Sequence, residues 1–163
     1  MILAEINELF AYNIWANNRT LESVAQLSEE HYFADAKSSH GGIHGTLVHL
    51  FGAHKVWLER WQGKSDAKLI HQHEIASLDE IKKLWAELIA GTQQYFENFT
   101  EEKLTATYTI TTTKGEVFIH TYTQMFQHLI NHSSYHRGQI AGMVRQLGYK
   151  PLGTDLIVYH RQK

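Results

Sequence analysis

A long apolar-patterned segment near the end of the chain, Thr121 to Leu147, most constrains the fold. Its interior positions recur every seven residues in two adjacent rows, which is the pattern of a helix with one buried face. The rows comprise Tyr122, Leu129, His136 and Met143, and beside them Phe126, Ser133, Ile140 and Leu147. A helix with such a stripe needs other helices to cover it, so the segment predicts a helical bundle.

Two histidines lie within this stripe at a spacing that suits metal binding. His132 and His136 are four residues apart, so both imidazoles leave the same face of the helix one turn apart. Burying two polar rings without partners would cost on the order of a few kcal/mol, and a shared metal ion would supply the partner. The spacing therefore indicates a metal site, with a proton-sharing histidine cluster as the alternative. His128 extends the row by one turn.

The chain has no cysteine, which narrows the chemistry of any such site. Disulfides, zinc ribbons, iron–sulfur clusters and a thiolate nucleophile from the protein are all excluded. The 12 histidines are dispersed along the chain rather than gathered in a tag. A metal would therefore have to be held by nitrogen and oxygen ligands.

Length and charge restrict the class of protein. The 163 residues predict one domain, residues 1–163, which is large enough for a sizeable core. No apolar run approaches the roughly 20 residues of a membrane span, and the N-terminus does not resemble a signal peptide, so we expect a cytoplasmic protein. A formal net charge of −2 without a dense basic block argues against nucleic-acid binding.

Three further helices are predicted upstream. The first covers Ile2 to Leu27, and the second covers about Ile43 to Trp61 and ends near Gly63. The third begins at Ser77, where S-L-D-E forms a capping box, and continues to about Phe99. Gly148 and Pro151 then end the fourth helix. The fold class expected from this order is all-α, a four-helix bundle.

Two connections between the helices have different characters. Ser28 to Ser39 is polar and contains the acidic pair Glu29 and Glu30, and we interpret it as a connection rather than a functional charge cluster. Leu104 to Phe118 is rich in threonine and aromatic residues around a Lys-Gly turn, which predicts a two-stranded β-hairpin between helices 3 and 4.

The second helix carries three histidines, His44, His49 and His54, and one of them is needed as a third ligand. Helical periodicity favours His54, which shares a face with leucine and tryptophan side chains. His49 lies on a different face, so the pattern leaves the choice open. Two more histidines, His71 and His73, occur in an apparent loop and would bind metal only if the loop were ordered.

Gly138 and Gly142 form a small-xxx-small pair on the fourth helix. Such a pair allows another backbone to come close. We expect close packing within the chain, and a dimer interface is the alternative use.

Five stretches of the sequence, in this order, resemble the DinB/YfiT-like family of metalloenzymes. They are Y-N-I-W-A-N at Tyr12 to Asn17, T-L-V-H-L-F-G-A-H-K-V-W-L at Thr46 to Leu58, T-K-G-E at Thr113 to Glu116, N-H-S-S-Y-H-R-G-Q-I at Asn131 to Ile140, and G-Y-K-P-L-G-T-D at Gly148 to Asp155. The resemblance covers nearly the whole chain, and the combination is more specific than any one motif.

The resemblance implies a four-helix bundle, often dimeric, with a divalent metal held by three histidines. The family pattern maps onto His49 in the second helix and onto His132 and His136 in the fourth. It therefore overrules the periodicity that favours His54, which remains a candidate for supporting the ligands, as does His128. Other side chains expected to support them are Asn13, Asn17, Gln139 and Asp155.

Three neutral nitrogen ligands leave a position free for substrate, as in catalytic zinc sites. Zinc or nickel is the expected ion, and iron is also compatible with imidazole. The resemblance favours transfer of a low-molecular-weight thiol, such as bacillithiol, mycothiol or glutathione, to a small electrophile. The alternatives are a metal-dependent hydrolase and a non-catalytic metal-binding stress-response protein.

Overall fold

The computed structural model describes residues 1–64, 66–111 and 115–162, and within them it is mainly helical. The elements follow in the order α1 (Leu3–Val24), α2 (Glu29–Phe33), β1 (Asp35–Ser38), β2 (Gly41–Gly42), α3 (Ile43–Trp61), a 3₁₀ turn (Gln72–Glu74), α4 (Leu78–Glu97), α5 (Glu101–Thr105), β3 (Thr107–Thr111), β4 (Val117–Thr121), α6 (Tyr122–Gln146) and α7 (Leu156–His160). The long helices α1, α3, α4 and α6 form the predicted four-helix bundle.

Helix α6 is the centre of the bundle and packs on α1 and α3, while α4 packs on α3. Six members of its predicted stripe are buried, and Tyr122 and Leu147 at the two ends are half-buried. At one end of the bundle, aromatic rings from all four helices meet. The Phe10 and Phe96 centroids are 4.6 Å apart, and those of Trp61 and Phe126 are 4.7 Å apart. Such contacts stabilise the core beyond their apolar area.

The helix ends agree with the capping signals in the sequence. The Ser77 hydroxyl accepts a hydrogen bond from the Glu80 backbone N–H at 3.1 Å, as the capping box predicts. The Glu80 carboxylate accepts from the N–H of Ala76 rather than that of Ser77. At the end of α6, Gly148 adopts φ +86°, and the next N–H donates back to Val144 O, so the turn needs glycine.

The predicted connection between the first two long helices has secondary structure of its own, because residues 28–39 hold α2 and β1. Strand β1 pairs with β2 in an antiparallel ribbon with a register shift, which leads directly into α3. The buried Tyr32 anchors α2 through its hydroxyl, 2.9 Å from His44 Nδ1. Gly42 permits the tight approach, since a Cβ there would lie 2.1 Å from Ala34 O. These contacts are distant in sequence, so periodicity does not reveal them.

The second hairpin is present as predicted, with β3 and β4 antiparallel from Thr107 paired with Thr121 to Thr111 paired with Val117. It starts later than expected, because Leu104 is buried in α5. Residues 112–114, which include Thr113 and Lys114 of the predicted turn, lie outside the described residues. In β4, Val117, Phe118 and Ile119 are exposed.

The small-residue pair on α6 makes no close packing contact with another element in the described part of the chain. Apart from the neighbouring backbone of α6 itself, no described atom lies within 4 Å of a Cβ placed on Gly138 or Gly142. The expectation of intramolecular packing is therefore wrong, and the dimer alternative stays a prediction. No helix in the described part of the chain is both long and apolar enough to cross a bilayer.

Candidate metal centre

Three histidines from two helices converge on one point at the α3–α6 contact. Nε2 of His132 is 3.1 Å from Nε2 of His49 and 3.1 Å from Nε2 of His136. The first ring comes from α3 and the other two come from successive turns of α6. The structure thus brings together the three residues that the family resemblance selected.

The separation of these nitrogens suits a small cation. Two nitrogens that bind one zinc ion at 2.0–2.1 Å in a tetrahedron lie about 3.3–3.4 Å apart. The observed 3.1 Å is close to that value. The separations of His132 from His49 and from His136 are therefore compatible with one divalent ion bound by all three rings.

The hydrogen bonds also favour a cation among the nitrogens. Gln139 Oε1 lies 2.7 Å from His136 Nδ1, so Nδ1 carries the proton and Nε2 of His136 keeps its lone pair. His132 Nε2 contacts two other Nε2 atoms, and one ring proton can serve only one of these contacts well. Within the described residues, the buried Nδ1 of His132 has no hydrogen-bond partner. A cation would instead accept a lone pair from each ring.

Burial lowers the pKa of all three rings, which favours their uncharged form near neutral pH. Burial is the main cause that lowers the pKa of His49 to about 4, and His40 and His136 add to it. The pKa of His132 also falls to about 4, first through burial and then through neighbouring histidines. Burial lowers the pKa of His136, against the Gln139 hydrogen bond. Neutral imidazole is the form that binds metal.

A fourth histidine, His40, lies at the same point, and the sequence reasoning missed it. Its ring stacks on that of His49 with centroids 3.9 Å apart, and its centroid is 5.4 Å from that of His136. One ring nitrogen each of His40, His49 and His136 lies within 4.8 Å of the others. In the set that contains His132, the Nε2 atom of His132 lies 3.1 Å from Nε2 of each of the other two residues. Only the unexpected ribbon of β1 and β2 positions His40, so no helical pattern could have revealed it.

Two further candidate histidines, His54 and His128, are not among the three converging rings. His54 is 1% exposed, and its Nε2 is 3.1 Å from Thr92 Oγ1. Because that hydroxyl donates to Leu88 O, Nε2 of His54 must donate to it, and Nδ1 keeps a lone pair without a partner among the described residues. His54 is thus a core residue and does not support the cluster. His128 is exposed, with its ring 5.7 Å from His132 and 5.5 Å from Trp57.

Of the four side chains expected to support the ligands, only Gln139 contacts a histidine of the cluster. Asn13 and Asn17 instead accept hydrogen bonds from Arg137 at 2.6 and 2.8 Å. Arg137 is 2% exposed, and burial lowers its pKa. Arg137 is the residue next to His136 in α6, and its hydrogen bonds to the two asparagines connect α6 to α1. The asparagines therefore position the helix rather than the imidazole rings. Asp155 is exposed at the start of α7.

An open cleft reaches the cluster from one side. It has a volume of about 500 Å³, and its walls come from the turn after β1, the first turns of α3 and the segment before α4. Polar lining includes His40, His49, His71 and Gln72, and apolar lining includes Val48, Leu69 and Ile70. Small molecules from solvent can therefore approach the His49 side of the cluster.

Comparisons with known proteins agree with this description. The sequence model of the DinB family matches residues 3–163. The Bacillus subtilis (strain 168) protein named Protein DinB is 29% identical over 159 residues, which cover 93% of this chain and 91% of that protein. A crystal structure of a DinB-like protein from Bacillus cereus ATCC 10987 is 19% identical, with a TM-score of 0.60, over 93% of this chain and 97% of that one. The last likeness concerns the fold alone.

Proposed function

Because this chain belongs to the DinB family and gathers three imidazole nitrogens beside an open cleft, we propose that it is a metal-dependent enzyme. Its reaction is the transfer of a low-molecular-weight thiol to a small electrophile. The observation that carries the proposal is the convergence of Nε2 atoms at 3.1 Å. The cleft supports catalysis over a purely structural ion, because a structural site is closed by protein ligands.

His49, His132 and His136 would hold the ion, with zinc or nickel as the ions that suit an all-imidazole set best. A bound divalent ion would supply positive charge that stabilises a thiolate, since a free thiol with a pKa of about 8.5 is mostly protonated at neutral pH. No carboxylate is part of the set, so the ligands leave that charge undiminished.

The chain's own residues would bind and orient the reactants. Gln139 holds the His136 ring by its Nδ1 proton, which aims Nε2 at the cluster. The apolar wall of Val48, Leu69 and Ile70 offers a surface for the electrophile and limits water beside His49.

The thiol must come from outside, since the chain has no cysteine. Bacillithiol, mycothiol and glutathione are the candidates. In the transfer, sulfur forms a bond to the electrophilic carbon, the leaving group departs with its electron pair, and the thiol proton passes to water. We place the enzyme in the cytoplasm, where such thiols are kept reduced.

Two other functions are compatible with the same cluster. A hydrolase would use the ion to activate water, which enters the same cleft. A non-catalytic stress-response protein would use the ion to hold α3 against α6. The open cleft argues against this function, because a purely structural ion needs no access from solvent. We also propose a homodimer, for which the open space beside Gly138 and Gly142 offers room, and light scattering of the purified protein would test it.

The function is tested by elemental analysis of untagged protein, followed by cobalt substitution. One metal ion per chain is expected. Adding the correct thiol to the cobalt protein should produce an intense sulfur-to-metal charge-transfer band in the near ultraviolet. If no tested thiol changes the spectrum while an ester or amide is hydrolysed, the hydrolase replaces the transferase. Metal without either activity would favour the non-catalytic protein.

A further inference from the structure

The turn between β1 and β2 places a fourth imidazole at a site that needs only three. His40 is half-buried and stacks on His49, with an angle of 15° between the ring planes. It also lines the cleft together with His49. A ring so placed lies between solvent and the point where the three Nε2 atoms meet.

In the observed orientation, His40 does not bind at that point. Imidazole donates its lone pair in the plane of the ring, so two nearly parallel rings at 3.9 Å cannot both direct lone pairs at one ion. One ring nitrogen each of His40, His49 and His136 lies within 4.8 Å of the others, so His40 is near the ligand positions without the alignment that binding needs. Rotation about the side-chain bonds of His40 is what would bring its nitrogen inward.

The backbone of His40 is held by contacts of its carbonyl oxygen. A Cβ on Gly45 would lie 1.9 Å from His40 O, so the turn is pressed against the first turn of α3. Gly42 N–H also donates to His40 O at 3.1 Å. The His40 ring contacts the rings of His49 and His136. Rotation about its side-chain bonds would move the ring while the backbone of the turn stays in place.

We propose that His40 is a displaceable fourth ligand, which closes the metal site at rest and withdraws toward the cleft when an exogenous ligand binds. The proposal rests on the metal site of the proposed function. A neutral imidazole adds no charge, so a thiolate replaces it with a gain in electrostatic attraction. Water would compete poorly with the tethered nitrogen of His40, so the open coordination position of the ion would be protected from water between turnovers.

The experiment uses cobalt-loaded full-length protein and compares wild type, His40→Ala and His73→Ala. The visible spectrum of cobalt depends on its ligands and their geometry, so replacing one imidazole nitrogen by one or more water molecules should shift and weaken the absorption. Wild type should show the strong spectrum and His40→Ala a weaker one. Millimolar imidazole should restore the strong spectrum in His40→Ala and change wild type little. His73 is an exposed histidine outside the cluster, so His73→Ala should match wild type.

Competition with a chelator gives a second readout. His40→Ala should bind zinc roughly 10-fold or more weakly than wild type, because one ligand is lost. A Gly45→Ala variant should show the same loss, since its Cβ displaces the turn while His40 remains.

The outcomes separate this proposal from the function. Identical cobalt spectra and zinc affinities for wild type and His40→Ala would overturn the fourth ligand and leave the three-histidine site intact. A wild-type protein that binds no metal would overturn both. A spectrum that changes in His40→Ala, with no response to any thiol, would support the fourth ligand and overturn thiol transfer.

Discussion

Two faces of α3 use the same residue type in opposite ways. His49 is half-buried, faces α6 and lines the cleft. His54, five residues later and about 140° around the helix, is buried against Phe10 of α1 and Thr92 of α4. Among the described residues, His54 has one hydrogen-bond partner, Thr92. Nε2 of His49 lies 3.1 Å from Nε2 of His132, which suits two ligands of one ion.

A lowered pKa does not distinguish His49 from His54. Burial lowers the pKa of both His49 and His54 to about 4. Perturbed pKa values accumulate at functional sites, but a buried histidine in a core shows the same shift. The two positions differ in their neighbours, because only on the His49 face of α3 do ring nitrogens of several histidines lie close together. A candidate site is therefore better identified from the directions of its donor atoms than from burial.

The largest expected effect is on metal binding. His49→Ala should weaken zinc affinity on the order of a thousandfold, since zinc sites gain about 3–4 kcal/mol per ligand. His54→Leu should keep one zinc per chain, and elemental analysis after dialysis would measure both. A reversed result, with zinc lost only in the His54 variant, would show that the helix periodicity had chosen the correct face.

Metal should also stabilise the fold through the His49 face. Zinc at about 1,000 times its Kd adds about 4 kcal/mol, because it binds the folded chain preferentially. For a chain of this size that is roughly 8–16 °C in Tm. Calorimetry with zinc and with a chelator would measure the shift. Wild type and His54→Leu should share it, and its persistence in His49→Ala would contradict the assignment of His49.

The pH dependence of stability tests the role of His54, on the face of α3 that lies in the core. Between a folded pKa of about 4 and an unfolded value near 6.5, the unfolded state binds more protons at His54. The contribution of the neutral His54 ring to the free energy of unfolding is fully present above pH 6.5. As pH falls toward 4 this contribution is lost, which lowers the free energy of unfolding by up to roughly 3 kcal/mol. Urea unfolding of metal-free wild type and His54→Leu at pH 7 and 4.5 would isolate it. Equal losses in the two proteins would exclude His54 as the cause.

The support of His136 should matter less than the ligands themselves. Gln139→Leu removes the acceptor that fixes the Nδ1 proton of His136. We expect zinc affinity to fall roughly 10- to 100-fold, the usual effect of removing such a partner. Chelator competition would measure it, with His54→Leu as the control. An unchanged affinity would mean that the packing around His136 alone fixes the ring.

The smallest effect is expected for His54→Leu at pH 7. The substitution loses the Thr92 hydrogen bond but also removes a buried lone pair without a partner in the described chain, and Thr92 still donates to Leu88 O. These terms oppose each other, so the free energy of unfolding should change by less than about 1 kcal/mol. A loss above roughly 3 kcal/mol in urea titration would show that His54 contributes more than its one hydrogen bond.

The periodic parts of the chain were predictable. Helix α3 has the expected bounds Ile43–Trp61, and the buried stripe of α6 is where the seven-residue pattern places it. The spacing of His132 and His136 indicated their common face, since both lie on one rigid helix with fixed geometry. The choice of His49 came from the family resemblance, and the residue pattern alone favoured the core residue His54.

Only the tertiary structure decided which side chains from separate elements meet. The ribbon of β1 and β2 brings His40 onto His49 because Gly42 and Gly45 allow backbones to touch, and neither contact has a period along the chain. The side-chain oxygens of Asn13 and Asn17 accept hydrogen bonds from Arg137 rather than from an imidazole. Helical periodicity records which face of one helix is buried. It carries no information about the neighbour that buries the face, and that neighbour determines whether a histidine becomes core or part of a site.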